Sequence, residues 1–414
     1  MQLNTNVNKW ILLTLIMSSL AYLLFISHSL SLRGYDDDKI FLSIFNSDNM
    51  MEILAARYNQ WSGRFMLEWL MTSTIGYTWL WKVGVPVSIM LSCYSACRIA
   101  GQKANIIGCS IALLLFASIP YDINSDASWW ITGFYNYLLP ISVALYTFSV
   151  AISDSNSIFE KISCLVLAFY FPYMEQAGVA FIIAMLALLA FKKESRNKIN
   201  YALIVIAVIN LIICLKAPGN ERRFSEEVWN WYPEYQTYGL SIKLALGFDK
   251  LHQLMTMRAN FPLIVLSLAI IYFRSVSGNM GITIKMAMFI VITFVAISIA
   301  KALTGIPAGG FFFNSVPVNA TIWSAGKLFL SYLYLFSVIS SMFIIMLDMA
   351  LKKYIGATPI MAMLIGYMTV TMMGLTPTVY ASGLRVDMVF EMMCIVAVMK
   401  ICTGLLSPRH QIAG

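Results

Sequence analysis

The chain has 414 residues, of which 59% are hydrophobic and only 12% charged, with a mean hydropathy of +0.75. That composition excludes an ordinary soluble domain. The net charge of +8 does not signal nucleic-acid binding, because the basic residues are scattered over many loops, where membrane proteins use them to set orientation.

A bilayer-spanning helix needs roughly 17–25 mostly apolar residues, and the chain holds many such runs. It reads as an all-α polytopic integral membrane protein of about 11–13 transmembrane helices, a single membrane domain over 1–414. The first helix covers 10–31 and lacks an Ala-x-Ala cleavage site, so it is expected to be retained. The loop 32–80 follows. Within it, 40–45 and 50–70 have helical apolar spacing with charges opposite, which predicts helices lying in the membrane interface with Trp61 and Trp69 as anchors.

Between 83 and 216 the runs fall near 83–99, 104–120, 136–153, 162–191 and 201–216. The stretch 162–191 is too long for one helix and is interrupted by Pro172 and Glu175, which predicts two short segments turning there. Loop 217–260, with Trp229, Trp231, Tyr232, Tyr235 and Tyr238, is expected to form a cap. Further runs lie near 262–273, 286–303, 328–347, 355–373 and 387–405, and the Gly-, Phe- and Asn-rich stretch 304–326 reads as a lid.

Short basic loops alternate on one side: Arg98 with Lys103, Lys161, the run from Lys192 to Lys198, Arg274 with Lys285, and Lys352-Lys353. Short basic loops belong in the cytoplasm, which places both termini there and sends 32–80, 121–135, the turn near Glu175, 217–260, 304–326 and 374–386 to the outer side. Lys301 and Asp348 lie near span ends, where they can reach water by snorkelling. The seven cysteines fall in or beside apolar runs, so no disulfide framework and no thiolate zinc site is expected.

Six polar features collect on the outer side. They are Asp36-Asp37-Asp38, Gly63-Arg64-Phe65, the run from Trp129 through Thr132, Gly133, Asn136 and Tyr137 to Pro140, Glu175 with Gln176, Pro218-Gly219-Asn220-Glu221-Arg222-Arg223, and the stretch Pro377 to Arg385 containing Tyr380. Each has an ordinary explanation. Three acids after a span can be a hydrated loop, tryptophans at a membrane boundary are commonly anchors, Pro-Gly-Asn is a turn signal, Arg222 and Arg223 can be solvated, and Arg64 or Arg385 can pair with the Asp run. Glu175 is harder to dismiss, because carboxylates between membrane segments are expensive.

One chemistry uses the whole mixture: sugar transfer from a lipid-phosphate donor. A carboxylate takes the proton of the acceptor hydroxyl, arginines bind the phosphate leaving group in bidentate fashion, and aromatic faces and amides hold the sugar. No Gly-rich phosphate loop follows a strand, no His-x-x-x-His pattern occurs, and there are only three histidines. No metal ligand set is assigned and no cofactor is expected. The Asp run could hold a divalent cation through oxygen, which sugar transfer from a lipid phosphate does not require.

The ordered motifs, Asp-Asp after the first helix, Gly-Arg-Phe, Trp130-x-Thr132-Gly133-x-x-Asn136-Tyr137-x-x-Pro140, Glu175, Pro-Gly-Asn-x-x-Arg and a late Pro-x-x-Tyr before Arg385, resemble a family of multi-pass bacterial proteins of surface-polysaccharide loci. More broadly they resemble the GT-C glycosyltransferases, and in type the serotype-converting O-antigen glucosyltransferases. The resemblance implies an inverting, GT-C-like transferase in the bacterial inner membrane with a periplasmic site. It would move a hexose such as glucose from a polyprenyl-phosphate donor to a lipid-linked or surface glycan. It further implies Asp36 and Asp37 as catalytic carboxylates, and Asp38, Arg64, Trp130, Asn136, Tyr137, Glu175, Asn220, Arg222, Arg223, Tyr380 and Arg385 as substrate-binding residues. An O-antigen polymerase or ligase, and a polysaccharide transporter or flippase, are the alternatives; the latter should carry polar groups at the midplane of several spans.

Overall fold

The computed structural model describes residues 5–102, 104–153, 157–257, 259–304 and 326–405. The stretch 304–326 read as a lid lies outside them apart from its two end residues. Every regular element among the described residues is helical. Among the described residues seven helices are long and apolar enough to cross a membrane, or up to nine if each of two bent pairs is one span. The chain is a multi-pass helical membrane protein.

Several apolar runs are half-length or sharply bent. The run 162–191 is broken where expected, into α10 (Ile158–Leu167) and α11 (Glu175–Phe191) on either side of a 3-10 turn at Phe171–Tyr173. Ten residues at about 1.5 Å rise cover only about half the hydrocarbon thickness. The run 104–120 bends by 100° between Ile106–Ala117 and Tyr121–Trp129, at Pro120, which cannot continue the hydrogen-bond ladder.

The chain falls into two compact units, where the sequence reads as one membrane domain. Unit 1 comprises Met1–Ala117, Tyr121–Glu226 and a returning strand of chain, Leu384–Val389. Its helices are α1 (Thr5–Ser29), α2 (Asp36–Phe45), α3 (Met50–Gln60), α4 (Phe65–Thr74), α5 (Thr78–Ile99), α6 (Ile106–Ala117), the short α7 (Tyr121–Asn124) and α8 (Ile131–Gly133), α9 (Leu139–Ile152), α10, α11, α12 (Lys198–Leu215) and the start of α13 (Gly219–Trp231). The expected interfacial segments are α2 to α4. Helix α5 packs against α9 and α6, while α11 packs against α12 and α9. Asn197 and Ser157 start α12 and α10 by accepting from the backbone N–H groups of Asn200 and Glu160, which satisfies donors the helix itself leaves free.

Unit 2 comprises Ser118–Pro120, Glu227–Gly383 and Phe390–Gly414, with α14 (Leu240–His252), α15 (Phe261–Val276), α16 (Ile282–Thr304), α17 (Gly326–Leu351), α18 (Thr358–Thr371) and most of α19 (Met388–Leu405). Arg274, taken from the sequence as a loop cation, is fully buried here. Its Nε donates to Asp348 at 2.7 Å and its Nη atoms to the carbonyls of Gly278 and Asn279. Asp348 is thus held in an ion pair with Arg274 and Lys352. The seven cysteines are free thiols, six of them buried.

Candidate functional site

The Asp run divides at the entrance to α2. Tyr35 is extended and Asp36 takes φ +61, a left-handed conformation that Asp tolerates better than most residues. This leaves Asp36 and Asp37 exposed and turns Asp38 fully inward. Asp38 Oδ2 accepts from the backbone N–H of Arg33 at 2.9 Å, and its Oδ1 accepts from the N–H and hydroxyl of Thr132 at 2.8 and 2.6 Å. Asp38 therefore ties the first loop to the Trp130 motif. Its oxygens are engaged within the protein and it is closed to solvent.

The Trp130 motif is locally unusual. Two π-helical segments, Ser125–Trp129 and Phe134–Leu138, flank α8. Such wide turns are frequent at functional sites. They present Trp130 and Tyr137 to a row of guanidinium groups. Arg33 and Arg385 lie 5.0 and 5.1 Å from the centre of the Trp130 ring, and Arg385 and Arg64 lie 5.9 and 6.0 Å from that of Tyr137. Each contact is a cation–π arrangement. The order Arg33, Trp130, Arg385, Tyr137, Arg64 forms a ladder of alternating cations and rings within unit 1.

The three cations differ in how they are neutralised. Arg64 and Glu175 meet in a bidentate pair, Nε to Oε1 at 3.2 Å and Nη2 to Oε2 at 2.8 Å. Burial opposes the charge of Arg64, but Glu175 beside it holds the guanidinium well above its ordinary pKa. Arg33 reaches Asp126 through a single 3.3 Å contact between partly exposed groups. Arg385 has a buried Nε with no hydrogen-bond partner, and the buried Trp130 Nε1 beside it has none either. Both atoms are donors only. Two unanswered buried donors beside a guanidinium are groups that the oxygens of an anion can satisfy.

The Gly-Arg-Phe and Pro-Gly-Asn motifs interlock. The backbone N–H of Gly63 donates to Asn220 Oδ1 at 3.0 Å, and Asn220 Nδ2 donates to the Cys214 carbonyl at 2.7 Å. A Cβ on Gly63 would lie 1.9 Å from the Cys214 carbonyl oxygen, and one on Gly219 would lie 2.2 Å from the Trp61 nitrogen. Only glycine fits either place. Asn220 thus holds the loop that carries Arg64, and the pair Gly63→Ala and Gly219→Ala is expected to cost about 1–3 kcal/mol each through overpacking. Thermal melting of the detergent-purified protein checks this, with both midpoints falling.

Other expected site residues make contacts of a different kind. Arg222 pairs with Glu226 one turn on, with side chains 62% and 42% exposed, and is a solvated surface cation. Arg223 lies over the Trp61 ring at 5.7 Å within unit 1. Asn136 is buried and donates to the Thr132 carbonyl within its own turn. Tyr380 belongs to unit 2, where it donates to Asp249 Oδ2 at 2.7 Å. Burial, and then the charge of Asp249, push this phenol well above its ordinary value, so it stays a donor.

Four participants were missed from sequence. Arg33 and Asp126 flank recognised motifs, three residues before Asp36 and four before Trp130, and adjacency was their only signal. Thr132 stood in a motif without an assigned role. Asp249 sits in Lys-Leu-Ala-Leu-Gly-Phe-Asp-Lys, inside the stretch 217–260 expected to form a cap, and its carboxylate is buried. Among the described residues no group of three or more His, Cys, Asp or Glu is arranged to hold a metal ion. The chain matches no family model, no curated protein and no solved structure.

Proposed function

We propose that unit 1 carries the donor site of a membrane glycosyltransferase using a polyprenyl-phosphate sugar. The observation that supports it is the pair of unanswered buried donors, Arg385 Nε and Trp130 Nε1, set in a ladder of guanidinium groups. An anionic phosphate satisfies both, and Arg385 meets it with a planar fork. In the transfer, the acceptor oxygen attacks the anomeric carbon as the bond from that carbon to the phosphate oxygen breaks. Polyprenyl phosphate leaves with the electron pair, and the guanidinium groups stabilise the charge that grows on it. The acceptor proton passes to an exposed carboxylate, Asp36 or Asp37. The ring faces of Trp130 and Tyr137 serve the sugar and the cations together. The site belongs on the outer face of a bacterial inner membrane, where the prenyl tail stays in lipid.

Surface-glycan mass and chain length in a deletion strain, complemented by wild type or by Asp37→Asn, test this reading. Loss of one hexose-sized unit per repeat, restored only by wild type, supports it. Loss of long chains with intact single repeats moves the same lipid-phosphate chemistry to a polymerase or ligase. The bent pair Leu240–Thr256 and Phe261–Val276, turned by 80°, favours a transporter as the second reading, because broken helices build transporter sites. An unchanged glycan in every variant, with altered export, would select it.

Breaking the Arg64–Glu175 pair gives a separate expectation. Glu175→Gln removes the charge that Arg64 faces and should cost about 1.5–3 kcal/mol of stability, since a charged guanidinium loses a bidentate partner. A double-mutant cycle with Arg64→Gln, read by thermal melting, checks it: the double variant should cost less than the two single changes together.

A further inference from the structure

In unit 2 the end of α13 presents two tryptophans to the outside, Trp229 at 80% and Trp231 at 62% exposure. The half-exposed Tyr232 follows them, and its ring lies 5.7, 6.2 and 6.4 Å from those of Tyr238, Tyr235 and Tyr380. These rings are locked from behind. Tyr235 donates to the Gly374 carbonyl at 2.8 Å, Tyr238 to Glu234 at 2.9 Å and Tyr380 to the buried Asp249, which also accepts from Tyr332 and Gln253. Tyr232 therefore packs on a fixed backing of three tyrosines, which limits the freedom it loses when something binds.

The spacing of the rings narrows what can bind. Rings in contact leave no gap for a cation between them, so the surface on offer is their flat outer faces. Residues 227–238 contain Glu227, Asn230, Glu234, Gln236 and Thr237 and no Lys or Arg. Lys243 lies over the ring of Tyr235, which is itself buried. Helices that bind anionic lipid carry a basic polar face; α13 holds Arg222 and Arg223 against Glu221, Glu226 and Glu227, with Arg222 paired to Glu226, and the segment that follows carries acids alone. Flat aromatic faces beside carboxylates and amides match a sugar, whose C–H face stacks on a ring while its hydroxyls donate to carboxylate and amide oxygens.

We propose that Trp229, Trp231 and Tyr232, framed by Asn230, Glu234 and Gln236, form a saccharide-binding platform. Its occupant is the acceptor glycan, an assignment that rests on the glycosyltransferase reading; the affinity for saccharide does not.

The test uses the full-length protein in nanodiscs of zwitterionic lipid, titrated with the oligosaccharide repeat released from the surface glycan of the source cell. Tryptophan fluorescence and saturation-transfer NMR report binding. Wild type should bind saturably, and Trp229→Ala/Trp231→Ala, which alters exposed side chains only, should bind at least about ten-fold more weakly. In a transfer assay the same variant should raise the KM for acceptor and keep kcat at saturating acceptor. Equal binding by wild type and variant, or no binding by wild type, overturns the platform. So does quenching of wild-type fluorescence by brominated lipid that is lost in Trp229→Phe/Trp231→Phe, since that result makes the pair a membrane anchor. Arg385→Ala separates the two readings: it should lower transfer by about 10²–10³-fold and leave saccharide binding intact. Intact transfer in Arg385→Ala, with saccharide binding lost in the tryptophan variant, would sink the donor site alone.

Discussion

Arg385→Ala is expected to lower sugar transfer by about 10²–10³-fold, the usual cost of removing one preorganised donor from a developing negative charge. The loss should appear with the protein still folded, because Arg385 has no hydrogen-bond partner at its buried Nε to leave stranded. Its contacts with Trp130 and Tyr137 are the stabilising interactions it makes, and those are worth about 1 kcal/mol or less each when partly exposed. Arg385→Lys tests the geometry as well as the charge. An ammonium keeps the cation and loses the planar fork, so recovery should be small. Transfer from a polyprenyl-phosphate sugar in membranes, with folded protein quantified by size-exclusion profile, is the measurement. Full activity in Arg385→Lys would reduce the residue to a point charge, and full activity in Arg385→Ala would remove the anion site from the mechanism.

The Asp run should separate sharply under substitution. Asp38→Ala leaves the N–H of Arg33 and both donors of Thr132 buried without their acceptor. Each unmet donor costs about 1–3 kcal/mol, so the variant should lose about 3–5 kcal/mol, enough to deplete folded protein from the membrane. Asp36→Asn and Asp37→Asn alter exposed carboxylates and should leave the size-exclusion profile unchanged. The one that serves as base should lose transfer by about 10²–10⁴-fold. Normal folding of Asp38→Ala would contradict the tie between α2 and the Trp130 motif. Normal transfer in both amide variants would remove the assigned base.

Much of the architecture was legible because its causes are local. Apolar runs of bilayer length, the break at Pro172 and Glu175, and the helices of 36–74 follow from residue type and spacing. The grouping of motifs was legible in part. Linking the Asp run to Trp130-x-Thr132, Gly63 to Asn220, Arg64 to Glu175 and Arg385 to Trp130 needed contacts between residues about 90 to 255 positions apart. Topology could only assign them to the same side.

By itself, then, the sequence determined the class of the protein, its apolar helices and the set of polar motifs gathered outside them, because burial preference and backbone propensity act over a few residues. Only the tertiary structure decided what each polar residue does. Consecutive aspartates are chemically identical in sequence, yet one residue of helical rotation buries Asp38 against Thr132 and leaves Asp37 in solvent. Arginine is likewise one letter throughout. Arg222 faces water, Arg274 is buried on Asp348, Arg64 is held by Glu175, and Arg385 stacks on two rings with a donor unanswered. The difference lies in which charges and rings the fold brings within a few ångströms, and electrostatic strength depends on that distance and on exclusion of water.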